Sequence, residues 1–307
     1  MALAVVGESL VDILVAADGE RVERAGGSCL NVAVAAARLG ATTTLVTQLG
    51  DDDRGDLIRR HAAGSDVDLR ASRTRSGRTA TATARIGDGG AATYDFDLEW
   101  APPSLRVEDL PTPPRALHIG SLGTTLAPGD ETVAELVEAV SAQAGAVVSY
   151  DPNVRPSFIT DPAAALAGVR SWAARADLVK LSDEDCEHLS PGSDPGELAA
   201  SLLGGRTRLV VLTRGGEGAT AYAEDLTLSV EAPAAEVADT VGAGDTFSAA
   251  LLAALLAEHR LGDDAWYREE LLVRRVLTSA AAAAAVTVTR PGADPPRLAE
   301  LGTWPLG

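Results

Sequence analysis

The chain has 307 residues, 46% of them hydrophobic, and a formal net charge of −18, enough apolar matter for one large α/β domain or two modest ones. So strong a negative charge excludes a nucleic-acid or anionic-membrane partner, because attraction to a phosphate backbone needs a basic face. The two cysteines, Cys29 and Cys186, and the four histidines fall in no metal-type spacing, which leaves reduced thiols, no zinc site, and oxygen ligands for any metal.

Residues 3–7, "LAVVG", read as a short buried strand rather than a signal peptide, and no apolar run approaches the ~20 residues of a membrane span. A cytoplasmic protein is the expectation. Residues 28–40 read as a helix closed by Gly40, and 42–50 as a second strand, making a β, helix, β unit. Further strands at 115–120, 146–151, 177–182 and 208–213 alternate with helical stretches at 130–145, 161–175 and 195–203. That alternation predicts a largely parallel sheet covered on both faces.

One region breaks the pattern. Residues 78–98 alternate small polar and apolar side chains around Gly-Asp-Gly-Gly, a hairpin signal with no helix after it. With 11–27 it could form a small flap sheet, serving either as a water-excluding lid or as a mere edge hairpin. Residues 103–114 read as the flap's return to the main sheet, and the six alanines at 280–285 suit a helix packed against something flat.

Lys180 is the sole lysine. The P-loop and protein-kinase templates each need a lysine in a fixed place, and no GxGxxG follows the first strand, so all three are excluded. A phosphate site must then be made of backbone. "TVGAGDTFSAALLAALL" supplies one: Gly242, Ala243 and Gly244 form the entry turn of an apolar helix, whose free N–H groups and dipole make an anion hole. Asp245 beside it fits two roles, a base for a substrate hydroxyl during phosphoryl transfer or a helix-capping aspartate. A second glycine-to-helix junction, "GGSCLNVAVAAARLG", places Gly26, Gly27 and Asn31 where an amide meets a polyol, and Asp12 adds a carboxylate for vicinal hydroxyls.

These two junctions, in this order and separation, resemble the two signatures of the ribokinase-like, PfkB-type carbohydrate kinase family. "GDDDRG", "SYDPNVRP", "KLSDED", "TRGGEGA" and "VTVTRPGA" extend the likeness over essentially the whole chain. The resemblance implies a ribokinase-like three-layer α/β sandwich over residues 1–307, with a β lid built from about 11–25 and 77–102. It implies a magnesium ATP-dependent sugar kinase with Asp245 as base and Gly242, Ala243 and Gly244 as anion hole. Asp12, Gly26, Gly27, Asn31 and Arg155 would hold the substrate. Lys180, Thr213, Gly215 and Gly218 would serve ATP, Asp185 magnesium through water, and Asp239 a monovalent cation such as K+.

"YDPNVR" is similar to the bacterial fructokinase and ketodeoxygluconate kinase form of its segment, so fructose is the first expected substrate, a sugar acid the second and a ribose or nucleoside the third. Flap aromatics Tyr94, Phe96 and Trp100 could stack on a base or simply pack the clasp. A non-enzymatic alternative is a silent sugar-binding regulator, which would have no need of an intact GAGD. Departures from the family pattern are Ser182 and Asp185 at the NxxE positions, and Ala281 where an asparagine often lies near adenine. An exposed flap edge invites pairing into a homodimer.

Overall fold

The structure is a computed structural model and describes residues 2–16, 18–86, 92–104, 106–110, 112–261 and 265–305. Its first half runs β1 (Ala2–Val6), β2 (Leu10–Val15), β3 (Arg21–Gly26), α1 (Ser28–Arg38), β4 (Thr42–Leu49), α2 (Asp53–Ala63), β5 (Asp68–Arg73), β6 (Thr81–Ile86), β7 (Ala92–Asp97) and β8 (Ala116–Gly120). Then come α3 (Gly129–Ser141), β9 (Val147–Asp151), α4 (Pro162–Ala173), β10 (Leu178–Ser182), α5 (Asp183–Leu189), α6 (Pro195–Ala200) and β11 (Leu209–Thr213). The chain closes with β12 (Ala219–Ala223), β13 (Leu226–Val230), α7 (Ala243–Ala257) and α8 (Glu270–Thr287).

Nine strands form the main sheet in the order β13-β12-β11-β10-β9-β8-β1-β4-β5. Every pair from β11 to β5 is parallel, and β12 and β13 add an antiparallel edge. Strands β1, β8 and β9 are buried at every residue because both sheet faces are covered, which is why they read as unbroken apolar runs. Helices α1, α2, α7 and α8 pack one face; α3, α4, α5 and α6 pack the other. The expected three layers are present.

Strand order reverses between β1 and β8. In open α/β sheets a ligand crevice opens beyond the carboxyl ends of the strands at such a point. Glu8, Asp151, Ser182 and Thr213 all sit at or just past those ends.

A second sheet, ordered β3-β2-β6-β7, stands over this crevice. β2 pairs antiparallel with β3 and parallel with β6, and β6 pairs antiparallel with β7. Val11 and Ile13 on its inner face join the core beside α1, while Asp12 and Leu14 on the alternate face stay exposed. The Gly-Asp-Gly-Gly turn lies outside the described residues.

Five features differ from the sequence reading. α2 is a full helix, yet only Gly55, Ile58 and Ala62 are buried, too narrow a stripe to register as periodic; Asp52 starts it by accepting Gly55 N–H at 2.9 Å. The short helix α5 follows β10 directly. β5 is an edge strand with little burial, and the β12–β13 hairpin closes the opposite edge. The helix expected at 195–203 stops at Ala200.

The small sheet returns to the body through Gln48, whose buried amide donates to Arg73 O and Ala101 O, both at 3.1 Å, and accepts from Ala101 N at 2.8 Å. Replacing Gln48 by Leu strands two partly buried backbone groups of Ala101, each costing about 1–2 kcal/mol, the lower part of the range for an unsatisfied group. Urea unfolding of Gln48→Leu is expected to show about 2–4 kcal/mol lost on that basis.

Candidate active site

α7 is apolar nearly all round, and its residues from Asp245 to Leu256 are buried. Such a helix forms by packing rather than by amphipathic exposure, and it lies between α1 and α8. It opens at Gly242 in the left-handed conformation, φ 77°. A Cβ there would lie 2.5 Å from Ala293 Cβ, so both conformation and space require glycine.

Among the described residues the N–H groups of Gly242 and Gly244 have no partner, whereas Ala243 N–H turns back to Thr240 O at 3.2 Å. Asp245 N–H is likewise without a partner among the described residues, so the open amides at this turn are those of Gly242, Gly244 and Asp245.

Asp245, 6% exposed, sits in the first turn of α7 and faces α1. Its Oδ1 accepts the Ser28 hydroxyl at 2.6 Å and the Asn153 amide at 3.4 Å; its Oδ2 accepts Asn31 Nδ2 at 2.8 Å. Burial pushes its carboxyl up, while the bonds from Ser28 and Asn31 and the charge of Arg155 pull it back. Asn31 keeps a buried Oδ1 without a partner among the described residues, an acceptor suited to a hydroxyl.

Gly26 and Gly27 shape the wall opposite. A Cβ at Gly26 would meet Asp12 Oδ2 at 2.0 Å, and one at Gly27 would meet Glu8 O at 2.9 Å. Asp12 keeps a solvent-facing edge, but the protein around it raises its carboxyl to about 6, with Arg155 opposing and Asp245 adding to the rise. Arg155 is exposed and makes no ion pair among the described residues, yet its charge reaches Glu8, Asp12 and Asp245.

The sole lysine lies beneath the turn that opens α7. Lys180 is 5% exposed, its Nζ is 3.1 Å from Asp151 Oδ2, and a Cβ on Gly244 would lie 3.0 Å from that Nζ. Burial lowers its pKa, but Asp151 and Asp185 outweigh that and raise it, so the ammonium stays charged. Ser248 adds a donor to Asp151 Oδ2 at 3.0 Å.

Two carboxylates read from sequence as metal ligands are occupied by protein donors. Asp185 accepts Val154 N, Ser182 N and Ser182 Oγ at 2.7–2.8 Å and so ties the loop after β9 to α5. Asp239 accepts Val241 N at 3.0 Å and Gly292 N at 2.8 Å, bonds that hold its carboxyl below the usual range. Among the described residues no cluster of His, Cys, Asp and Glu forms a metal cage.

Thr213 ends β11 with its hydroxyl 3.4 Å from Leu181 O. Gly215 and Gly218 follow in a turn at φ 48° and 96°, and the second lies against Val230 O, where a Cβ would come within 2.1 Å. Ala281 packs inside α8 among core residues. Trp100 is buried against Gly129 and donates to Gly123 O at 3.0 Å, so it is packing rather than a stacking platform. Phe96 meets Phe158 at 5.0 Å between centroids; the Tyr94 side chain lies outside the described residues.

Residues 2–299 match the family model described as pfkB family carbohydrate kinase. The chain belongs to this family. A fructokinase of Rhizobium leguminosarum bv. trifolii is 35% identical over 262 residues, 83% of this chain and 80% of the relative. The crystal structure of a fructokinase with bound ATP from Xylella fastidiosa superposes with TM-score 0.85 at 29% identity, covering 98% of this chain and 96% of that one. An aminoimidazole riboside kinase from Salmonella enterica, complexed with aminoimidazole riboside and an ATP analog, gives 0.81 at 25% identity over 100% of both chains. The fold is ribokinase-like, and the protein is an ATP-dependent sugar kinase, fructokinase-like in type, a phosphotransferase with an alcohol acceptor.

Sequence reasoning passed over four residues of this kinase's cleft: Glu8, Ser28, Asp151 and Asn153. Glu8, 5% exposed, accepts Ser28 N at 3.3 Å and Gly123 N at 3.0 Å. Burial raises its carboxyl to about 7, against its backbone hydrogen bonds and Arg155. The unfolded chain releases that proton near 4.5, so the native state holds more protons between about 4.5 and 7 and its stability falls as pH rises through that window. The contribution is about 3 kcal/mol. Chemical unfolding of Glu8→Gln from pH 4.5 to 7.5 is expected to show a flatter profile than wild type.

Proposed function

We propose that this kinase transfers the γ-phosphoryl group of ATP to the primary hydroxyl of a keto-sugar, with fructose yielding fructose 6-phosphate. The observation that carries the reading is the pairing of a buried, doubly hydrogen-bonded Asp245 with unpartnered amides at Gly242 and Gly244. Asp245 takes the hydroxyl proton as the oxygen attacks phosphorus, and the amides with the α7 dipole receive charge spreading over the transferring oxygens. Asp12 and Asn31 Oδ1 grip the sugar hydroxyls. Lys180 acts from below on the same turn, its charge held by Asp151 rather than presented to solvent.

Thr213, Gly215 and Gly218 line the nucleotide side. Magnesium, carried on the ATP phosphates, would neutralise their charge. The donor set fits such an ion, since the cleft offers carboxylates but no protein cage, and Asp185 would act on it only through water. Asp239 and its loop are the candidate partner for K+. Two free buried thiols and ATP dependence support a cytoplasmic setting; among the described residues no helix is long and apolar enough to cross a membrane. Exposed Leu14 and Val22 on the open face of the small sheet support a homodimer through the lid.

Arg155 favours a second reading. A guanidinium beside the sugar site without an ion pair suits the carboxylate of a sugar acid. ADP release with fructose, ribose, ketodeoxygluconate and nucleosides separates the two: fructose well above the rest supports the first, and the sugar acid ahead replaces it. Asp245→Asn is expected to lower kcat about 10²- to 10⁴-fold, the range of general base catalysis, with sugar affinity by calorimetry near wild type. Wild-type turnover in that variant would remove Asp245 as base.

A further inference from the structure

Asp245 is held by a residue that has no counterpart among the signature glycines and is itself held in turn. Ser28 is the first residue of α1, 3% exposed, and its hydroxyl has one recorded partner, Asp245 Oδ1 at 2.6 Å. Its backbone N–H, one of the orphan donors of a helix start, is taken by Glu8 Oε1 at 3.3 Å, and Glu8 Oε2 takes Gly123 N–H at 3.0 Å. Glu8 therefore joins the end of β1, the start of α1 and the 121–124 turn at one buried point. Gly123 leaves no slack there, since a Cβ would lie 2.9 Å from Gly7 Cα.

We propose that Ser28 is a positioning residue for Asp245, and that Glu8 acts through Ser28 by fixing the start of α1; this rests on Asp245 being the base. A carboxylate works as a base through one lone pair aimed at the substrate proton. Ser28 on Oδ1 and Asn31 on Oδ2 fix the carboxylate plane from the α1 side and turn the remaining lone pairs toward the cleft. A bare carboxylate in this crowded ring of charge, with Asp12, Asp151, Lys180 and Arg155 all acting around it, would have several orientations of similar energy. The hydroxyl selects one and favours the ionised form.

The test compares Ser28→Ala, Ser28→Thr, Glu8→Gln and the Ser28→Ala/Glu8→Gln double variant in the full-length kinase with its best acceptor sugar and magnesium ATP. Ser28→Ala is expected to lower kcat about 10- to 100-fold, the scale of one hydrogen bond to a charged group, with sugar KM nearly unchanged. Its acid limb of kcat moves to higher pH, because the lost donor had stabilised the carboxylate. Ser28→Thr, which keeps the hydroxyl, restores most of kcat and the wild-type acid limb. Glu8→Gln lowers kcat in the same way, and the double variant is no worse than the weaker single, the mark of residues acting in series.

Ser28→Ala with wild-type kcat and an unmoved acid limb overturns the proposal, as does a rise in sugar KM alone. Additive losses in the double variant overturn the part assigned to Glu8. Should Glu8→Gln fail to fold, the Ala and Thr variants at Ser28 still decide the main claim. Failure of the base assignment itself would show separately, as turnover surviving in Asp245→Asn.

Discussion

The cleft depends on keeping one carboxylate ionised in a place from which water is almost excluded. Burying an unpaired charge costs several kcal/mol even after relaxation, and Asp245 sits at the head of a helix whose next eleven residues are all buried. The compensation is local and directional. Its own helix contributes the positive end of its dipole, Ser28 and Asn31 contribute one donor each from α1, and Asn153 approaches from the loop after β9. Because α1 supplies two of those donors, the packing of α1 on α7 is part of the electrostatics of the base as well as of the core.

Charge around the cleft is unbalanced in a way that suits its cargo. Among the described residues Glu8, Asp12, Asp151 and Asp245 converge there against Lys180 and Arg155; burial is the main cause that raises the Glu8, Asp12 and Asp245 carboxyls above their ordinary range, and neighbouring carboxylates add to the rise at Asp12 and Asp245. A site with surplus carboxylate would repel a naked polyphosphate. On the proposed function it accepts one that arrives with a divalent cation, and the amides of Gly242 and Gly244 attract the anion without adding side-chain charge. The sole lysine lies below the turn, salt-linked to Asp151, and on the proposed function it acts on the phosphoryl group from there through space.

The glycine-marked parts of this arrangement were legible from residue order. Gly26, Gly27, Gly242 and Gly244 stand where side chains would strike Asp12, Glu8, Ala293 or Lys180, and the parallel strands announce themselves as apolar runs between helical stretches. The less legible parts rely on partners far away in the chain. The resemblance marks Asp185 and Asp239 for roles near magnesium, through water, and a monovalent cation, but says nothing of the protein donors each carboxylate meets. Here they accept N–H groups from Val154 and Gly292, 31 and 53 residues distant, contacts that no local spacing encodes. Glu8 and Ser28 were invisible for the same reason, since Ser28 meets Asp245 across 217 positions. α2 escaped because Ile58 and Ala62 are its only buried large-to-small apolar pair in an otherwise charged segment.

On the proposed function, the small sheet ties substrate binding to its own seating over the crevice. Asp12, a sugar-binding residue on the proposed function, lies on β2 directly across from Arg24 on β3, and Arg24 reaches the loop beyond α8, where a Cβ on Gly292 would meet its Nη1 at 2.8 Å. On the far side Phe96 of β7 touches Phe158, three residues past Arg155. The sheet thus rests on both rims of the crevice through contacts that a polar or mobile loop could break. A residue that binds sugar from a body that can swing must lose affinity as the body opens, because the hydroxyls then regain water. On that reading sugar occupancy favours the closed sheet by its differential affinity for that state, with Asp12 and Asp245 on opposite sides of the same acceptor.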